Sequence, residues 1–223
     1  SSTSSPTRIA PTPSPMPRLV MRSFPGTLLD HSNSGAVQRQ QAYGAARGVP
    51  WGVSESAYNL RDRHLTYQYR GFGVPDLGLK RGLARDLVVA PYATALALMI
   101  DPAAALANLG MLEQMGALGS CGFRDAIDYT RAGPDEEYAI VATYMAHHIG
   151  MSFVSMTNAL LPDIWPHRFH ADPLVRAAEL LLYERIPRRV PTLGRPPQVI
   201  ARRAVRHPRP PHPHHHRDLL LTP

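Results

Sequence analysis

Two short segments gather side chains that could do chemistry together. Trp51-Gly52-Val53-Ser54-Glu55-Ser56-Ala57-Tyr58-Asn59 sets one carboxyl group among aromatic rings, with Tyr67, Tyr69 and Phe72 close behind it. Arg124-Asp125-Ala126-Ile127-Asp128-Tyr129 offers two more carboxyl groups and a further ring. Acids beside flat rings suit carbohydrate chemistry. Rings stack on the apolar faces of sugars, while one acid protonates the leaving oxygen and a second stabilises positive charge at the anomeric carbon. The plainer alternative is that these acids cap helices or pair with cations and the rings fill a core. His147 and His148 are neighbours on a predicted helix, about 100° apart, whereas residues four apart would share a face and could share an ion. No metal is therefore expected on them, and no cofactor elsewhere. His214–His216 can hold a metal adventitiously but without fixed geometry. Glycine-rich phosphate loops, a Gly-x-Ser-x-Gly elbow and a His-Glu-x-x-His pair are all missing from the sequence, which removes nucleotide and metalloprotease chemistry.

The elements that must position these residues lie in the middle of the chain. At 223 residues the length allows one domain with tails or two small ones, and 44 % hydrophobic against 18 % charged residues supplies a core. Of 23 prolines, five fall in residues 1–17 and nine in 186–223. Residues 1–17, rich in Ser, Thr and Pro, and the Pro/Arg/His-rich residues 190–223 are expected to be disordered, leaving a folded body over 18–189. The formal charge of +7 is also a property of the end: eight of the 24 basic residues but one of the 17 acidic ones fall in 186–223, so the rest balances at sixteen of each. A neutral body argues against a specific nucleic-acid surface, although the basic end could adhere to phosphates or anionic lipid. The single cysteine, Cys121, rules out an internal disulfide framework and a multi-cysteine zinc site. The most apolar stretch, 87–112, is interrupted by Pro91, Asp101 and Pro102, so no membrane span is expected, and the first residues lack the apolar run of a secretory signal. A cytoplasmic location follows as the expectation.

Helical signals dominate the body. Val37–Arg47 reads as a helix stopped by Gly48, and Pro91–Met99 as a short buried helix. Asp101-Pro102 caps and opens a helix that Gly116 ends. The longest candidate runs from Pro134, through Asp135-Glu136-Glu137, to about Leu161, with acids in its first turn as the helix dipole favours. A last helix starts at Asp172-Pro173 and ends near Ile186. Strand signals are few, with Arg18–Met21 and Leu65–Tyr69 read as connectors or hairpin arms. The expectation is all-α.

The Trp51–Asn59 segment resembles the signature of the glycoamylase-like domain of cyclic β-1,2-glucan synthases. The likeness begins at Leu19-Val20-Met21 and Phe24-Pro25-Gly26-Thr27-Leu28-Leu29-Asp30. It continues through Tyr67-Gln68-Tyr69, Asp86–Leu96, Asp128-Tyr129-Thr130 and Tyr144-Met145-Ala146-His147-His148, and closes at Glu184-Arg185-Ile186-Pro187, covering roughly residues 16–190.

The resemblance implies an (α/α)6 toroid with a loop-lined funnel. The helices counted above make about half of its twelve, so the chain is expected to be an incomplete toroid, completed by the remaining toroid helices of a larger synthase and accompanied by its membrane glycosyltransferase at the bacterial inner membrane. The implied partner is β-1,2-glucan or a related oligosaccharide, cut or rejoined by transglycosylation. A noncatalytic, glucan-binding remnant is the alternative. Glu55 matches the motif glutamate and, as proton donor or nucleophile, is one catalytic candidate. Asp125 stands where the family has its second glutamate and is the other, with Asp128 a competing acid three residues on. An aspartate is one methylene shorter, and a misplacement of about 1 Å can cost about 100-fold in rate. Arg124, Cys121 and Ile149 also depart from the family's aromatic, tyrosine and glutamine. Trp51, Tyr58, Tyr67, Tyr92 and Tyr129 are candidate sugar platforms, with core packing as the alternative for each. His147 or His148 is a candidate contact to a sugar hydroxyl.

Overall fold

The structure, a computed structural model, describes residues 15–75, 77 and 82–186. Of the segments expected to be disordered, 1–17 and 190–223, all but residues 15–17 lie outside the described residues, and Met16 and Pro17 are ordered in a 3-10 turn over Met16–Leu19. Among those described, six α-helices alternate with seven short strands, so the body is largely helical but not all-α. The strands make three small sheets, and two of them border the residues singled out above.

Helix starts and stops follow local chemistry. Helix α1 spans Leu28–Arg47, opened by Thr27, whose hydroxyl accepts from the Asp30 amide, and closed by Gly48 at φ +67°. The stop is the expected one. The start lies nine residues earlier than expected because the Thr27 cap, with Asp30 in the first turn, begins the helix at Leu28, ahead of the polar stretch from Asp30 to Ser34. Helix α2, Pro91–Leu96, starts on a proline and tightens into a 3-10 turn through Met99. Helix α3, Pro102–Gln114, has Asp101 accepting from the Ala104 amide. The other Asp101 oxygen accepts from Gln41 Nε2 at 3.0 Å and so ties α3 to α1.

The expected long helix over 134–161 is corrected. Only α4, Ala146–Leu160, is helical. The strand β6, Ala126–Asp128, pairs antiparallel with β7, Ala139–Val141, and with β3, Val88–Val89. Ile140, Val141 and Thr143 are β-branched, and pairing buries Ala139 and Val141 beside Ile127. That burial outweighs the acidic helix-start signal at 135–137. Helices α5, Ile164–Phe169, and α6, Pro173–Ala178, follow, and the expected helix to residue 186 instead continues as a 3-10 turn over Glu179–Tyr183. Arg18–Met21 is also not β-like, since Met16–Leu19 form a 3-10 turn. The hairpin reading of 65–69 holds: β2, Tyr67–Arg70, pairs with β1, Ser56–Arg61. A third pair joins β4, Leu118–Gly119, to β5, Gly122–Phe123.

Two apolar clusters hold these pieces together: a larger one that includes Val53, Val88, Val89, Leu112, Ile127 and Val141, and a smaller one of Leu19, Ala90, Tyr92 and Leu96. Within the larger, the buried Asn108 amide fixes the Trp51 backbone from both sides. Its Oδ1 accepts from the Trp51 amide at 3.0 Å, and its Nδ2 donates to the Trp51 carbonyl at 2.8 Å. Gly52 follows at φ +125°, where an added Cβ would lie 2.8 Å from Thr94 Oγ1. The segment leading to Glu55 is thus anchored three and four residues before the carboxyl group it presents.

Candidate active site

Three elements converge around Glu55. Glu55 itself is exposed immediately before β1. Register in the β1–β2 hairpin sets Tyr69 opposite Ala57, so a ring from β2 faces the small residue two positions past Glu55. The first turn of α4 supplies His147 and His148, and the connection between β5 and β6 supplies Arg124 and Asp125.

Asp125 is the joint between these elements. Its Oδ1 accepts from His148 Nδ1 at 2.6 Å and its Oδ2 accepts from the Ala57 amide at 2.7 Å. Its own amide donates to the Thr143 carbonyl at 2.9 Å. Both partners of the pair are buried, Asp125 at 4 % and His148 at 3 % exposure, so the ion–dipole contact is shielded from water. A carboxylate on Nδ1 fixes the ring's tautomer: in the neutral imidazole the proton stays on Nδ1 and the Nε2 lone pair faces the site. Tyr92 lies flat on the His148 ring, centroids 3.7 Å apart at 8°, and its hydroxyl shares a 2.7 Å hydrogen bond with Ser54.

The Tyr69 hydroxyl meets both histidines, at 3.3 Å from His147 Nε2 and 3.2 Å from His148 Nε2. The expectation that neighbouring helical histidines cannot serve one point is therefore corrected. Cβ directions diverge by about 100°, but imidazole reaches well beyond Cβ, and the rings turn towards each other until their centroids are 4.1 Å apart. Glu55 closes the group, with one ligand atom each from Glu55, His147 and His148 lying within 4.8 Å of one another. Partial burial, and after it the Glu55 and Asp125 carboxylates, push the Tyr69 hydroxyl up to about 12. Burial likewise holds the Tyr92 proton well above its ordinary value, with the carboxylates adding and the Ser54 hydrogen bond opposing. Both phenols therefore remain proton donors at neutral pH.

An apolar cavity of about 270 Å³ adjoins the cluster, touching Tyr92, Asp125 and His148 and walled by Phe123, Met145 and Met156. Such a volume is just below the range of about 300–1,000 Å³ usual for small-molecule pockets.

Of the expected site residues, the structure gathers Glu55, Tyr92, Asp125, His147 and His148. The others lie elsewhere. Trp51 is buried in the core at 8 % exposure. Tyr58 packs edge-on to Phe72 with the Arg131 guanidinium 4.8 Å from its ring, and Tyr67 lies under Arg61 at 4.3 Å. Asp128 is fully buried and accepts from the amides of Asn59, Thr130 and Arg131 and from the Arg131 guanidinium. Tyr129 packs against Tyr138, its hydroxyl 3.8 Å from Met115 Sδ. Tyr69 and Ser54, named in the sequence only as members of their segments and not as candidate site residues, join the site. Tyr69 could be found only through the strand register, because β1 slips between Tyr58 and Arg61 and simple alternation does not say which tyrosine faces Ala57.

The helical body with small sheets thus presents an exposed glutamate beside a buried Asp–His pair and two tyrosines. The chain belongs to the glycoamylase family, described as putative glucoamylase, whose pattern matches residues 32–172 and so includes every member of the cluster. It is 48 % identical over 191 residues to the cyclic beta-(1,2)-glucan synthase NdvB of Rhizobium meliloti (strain 1021), a match covering 84 % of this chain and 7 % of that protein. The chain thus spans a small part of the relative's length. No helix among the described residues is long and apolar enough to cross a membrane.

Proposed function

We propose that this chain is a carbohydrate-active domain that acts on β-1,2-glucan by glycosidic bond cleavage or transglycosylation, with Glu55 as the carboxyl group that meets the substrate and Asp125 as the carboxylate that positions His148. The observation that carries the reading is Glu55, exposed beside His147 and His148, of which His148 lines an apolar cavity. An exposed carboxyl group can meet a glycosidic oxygen or an anomeric carbon, and the cavity suits the apolar face of a sugar ring. Asp125 lines the cavity with both oxygens already bonded, so its part is to hold His148 with Nε2 towards the substrate. His147, His148 and Tyr69 offer hydrogen bonds to sugar hydroxyls, and Tyr92 backs the His148 ring. Support for the substrate comes from the relative's name and from the family resemblance. We read the six helices as part of an (α/α)6 toroid whose other helices and membrane glycosyltransferase belong to a larger synthase at the bacterial inner membrane.

The test is product release from linear β-1,2-glucan. A carboxyl group acting in acid–base catalysis contributes about 10²–10⁴-fold, so Glu55→Gln is expected to lower the rate by at least about 100-fold. Equal release from both proteins removes Glu55 from the reaction. A second reading, noncatalytic glucan binding, is favoured by the engagement of both Asp125 oxygens. Calorimetric binding of the glucan by the parent chain, with no product released, would establish it.

A further inference from the structure

We propose that Glu55, His147 and His148 form a binding site for a divalent transition-metal ion of the zinc class, with the Tyr69 oxygen, whose proton the ion would displace to solvent, as its fourth donor. The site shares Glu55, His147, His148 and Tyr69 with the glucan reading, so an ion there would occupy the same carboxyl group, but its binding needs no substrate. Zinc takes imidazole nitrogen and carboxylate oxygen at about 2.0–2.1 Å in a tetrahedron, and ligand atoms on such a tetrahedron are about 3.3–3.4 Å apart. The Tyr69 hydroxyl already lies 3.3 and 3.2 Å from the two Nε2 atoms, which is that edge length. The three ligand atoms of Glu55, His147 and His148 lie within 4.8 Å of one another, so closing the remaining edges needs about 1.4 Å of movement. Glu55 and His147 make it from exposed positions.

A second, independent feature points the same way. Metal-bound histidine almost always donates its other ring N–H to a carboxylate or carbonyl, which fixes the tautomer and raises the basicity of the coordinating nitrogen. The buried Asp125 does this to His148 at 2.6 Å, and Tyr92 stacks on the ring and holds its plane. His148 is thus preorganised with a lone pair aimed at Tyr69, His147 and Glu55. Two imidazoles with one or two oxygens suit zinc, cobalt, nickel or copper, whereas calcium and magnesium prefer all-oxygen shells.

The experiment is titration of the full chain with cobalt(II) chloride in the absence of glucan, followed by ligand-field absorption, which reports four-coordinate geometry as well as affinity. His207, His212, His214, His215 and His216 are first replaced by Asn to silence the histidine-rich end. This parent is expected to bind one ion with the intense bands of a tetrahedral complex, and excess zinc is expected to bleach them. Glu55→Gln and His147→Asn, both at exposed positions and harmless to the fold, are each expected to weaken binding at least tenfold. Asp125→Asn leaves every ligand in place and is expected to weaken it by about 10–100-fold. No ion bound by the parent overturns the proposal, as does unchanged affinity in either Glu55→Gln or His147→Asn. Because glucan is absent, neither result depends on whether the domain cuts a sugar chain.

Discussion

Asp125 and Asp128 stand three positions apart, both lose their water, and they do different work. Asp125 spends its oxygens on one amide and one imidazole and so reaches the candidate site. Asp128 spends its oxygens on the amides of Asn59, Thr130 and Arg131 and on the Arg131 guanidinium, which also pairs with Asp86. Without Asp128, Arg131 keeps Asp86, but the amides of Asn59, Thr130 and Arg131 lose their acceptor, at a cost of about 1–3 kcal/mol for a buried donor left unsatisfied. Asp128→Ala is therefore expected to lower stability by about that amount in a urea titration, and a change under about 1 kcal/mol would show these hydrogen bonds to be dispensable. The neighbouring Tyr129 makes a prediction in pH. Burial first, then Glu137 and Tyr138, raises its hydroxyl above the ordinary 10.0. An acid with a raised folded-state pKa contributes fully below its unfolded value, and the contribution is lost as pH rises past it. Stability is expected to fall above about pH 10, and Tyr129→Phe to flatten that alkaline limb in thermal melts. In the sequence Asp125 and Asp128 were equal candidates, because residue type and spacing do not say which amides will face an acid. Glu55 was legible for another reason: its surrounding motif is long and specific.

At the scale of elements, termini that rest on local chemistry were legible and pairings that rest on distant chain were not. Gly48, Asp101 and Asp172 end or cap their helices as read from the sequence, since a left-handed stop or a capping oxygen acts within a few residues. Residues 134–145 were misread as helix because β7 exists only when β6, eleven positions earlier, lies alongside it. The same division sorts the helical glycines. Gly35 in α1 and Gly110 in α3 have open space where a Cβ would go, so Ala at either position is expected to stabilise the protein by about 0.5–1 kcal/mol. Gly44 also lies in α1, but a Cβ there would sit 2.8 Å from Trp51 Cβ and 2.9 Å from the Val49 carbonyl oxygen. The helix approaches the Glu55-bearing segment too closely for a methyl group. Gly44→Ala is expected to reverse the sign, lowering the melting temperature while Gly35→Ala raises it. A rise in both would mean that α1 can back away from Trp51 at little cost.

Over the whole molecule, burial is uneven, and the imbalance falls at one end of the described chain. The larger apolar cluster draws on the segments around β1, β3, β6 and β7, while α6 and the 3-10 turn after it contain no buried residue. Leu174, Leu180 and Leu181 are 82 %, 79 % and 78 % exposed, close together in sequence. What fastens this stretch is peripheral: Phe24 stacks on Tyr183, Arg22 pairs with Glu179 at 3.2 Å, and the Leu28 amide donates to the Glu184 carbonyl. A six-residue helix has little stability of its own, and surface ion pairs add about 0–1 kcal/mol. Amides of 173–183 are therefore expected to exchange hydrogen far faster than those of α3, whose Ala105, Asn108, Leu109 and Leu112 are buried. Clustered exposed leucines also favour association in water. Replacing Leu174, Leu180 and Leu181 together by Lys is expected to suppress concentration-dependent association in sedimentation velocity while leaving the melting temperature unchanged. A melting temperature several degrees lower in the triple variant would show instead that these leucines pack within their own chain, and the account of an uneven core would fail with it.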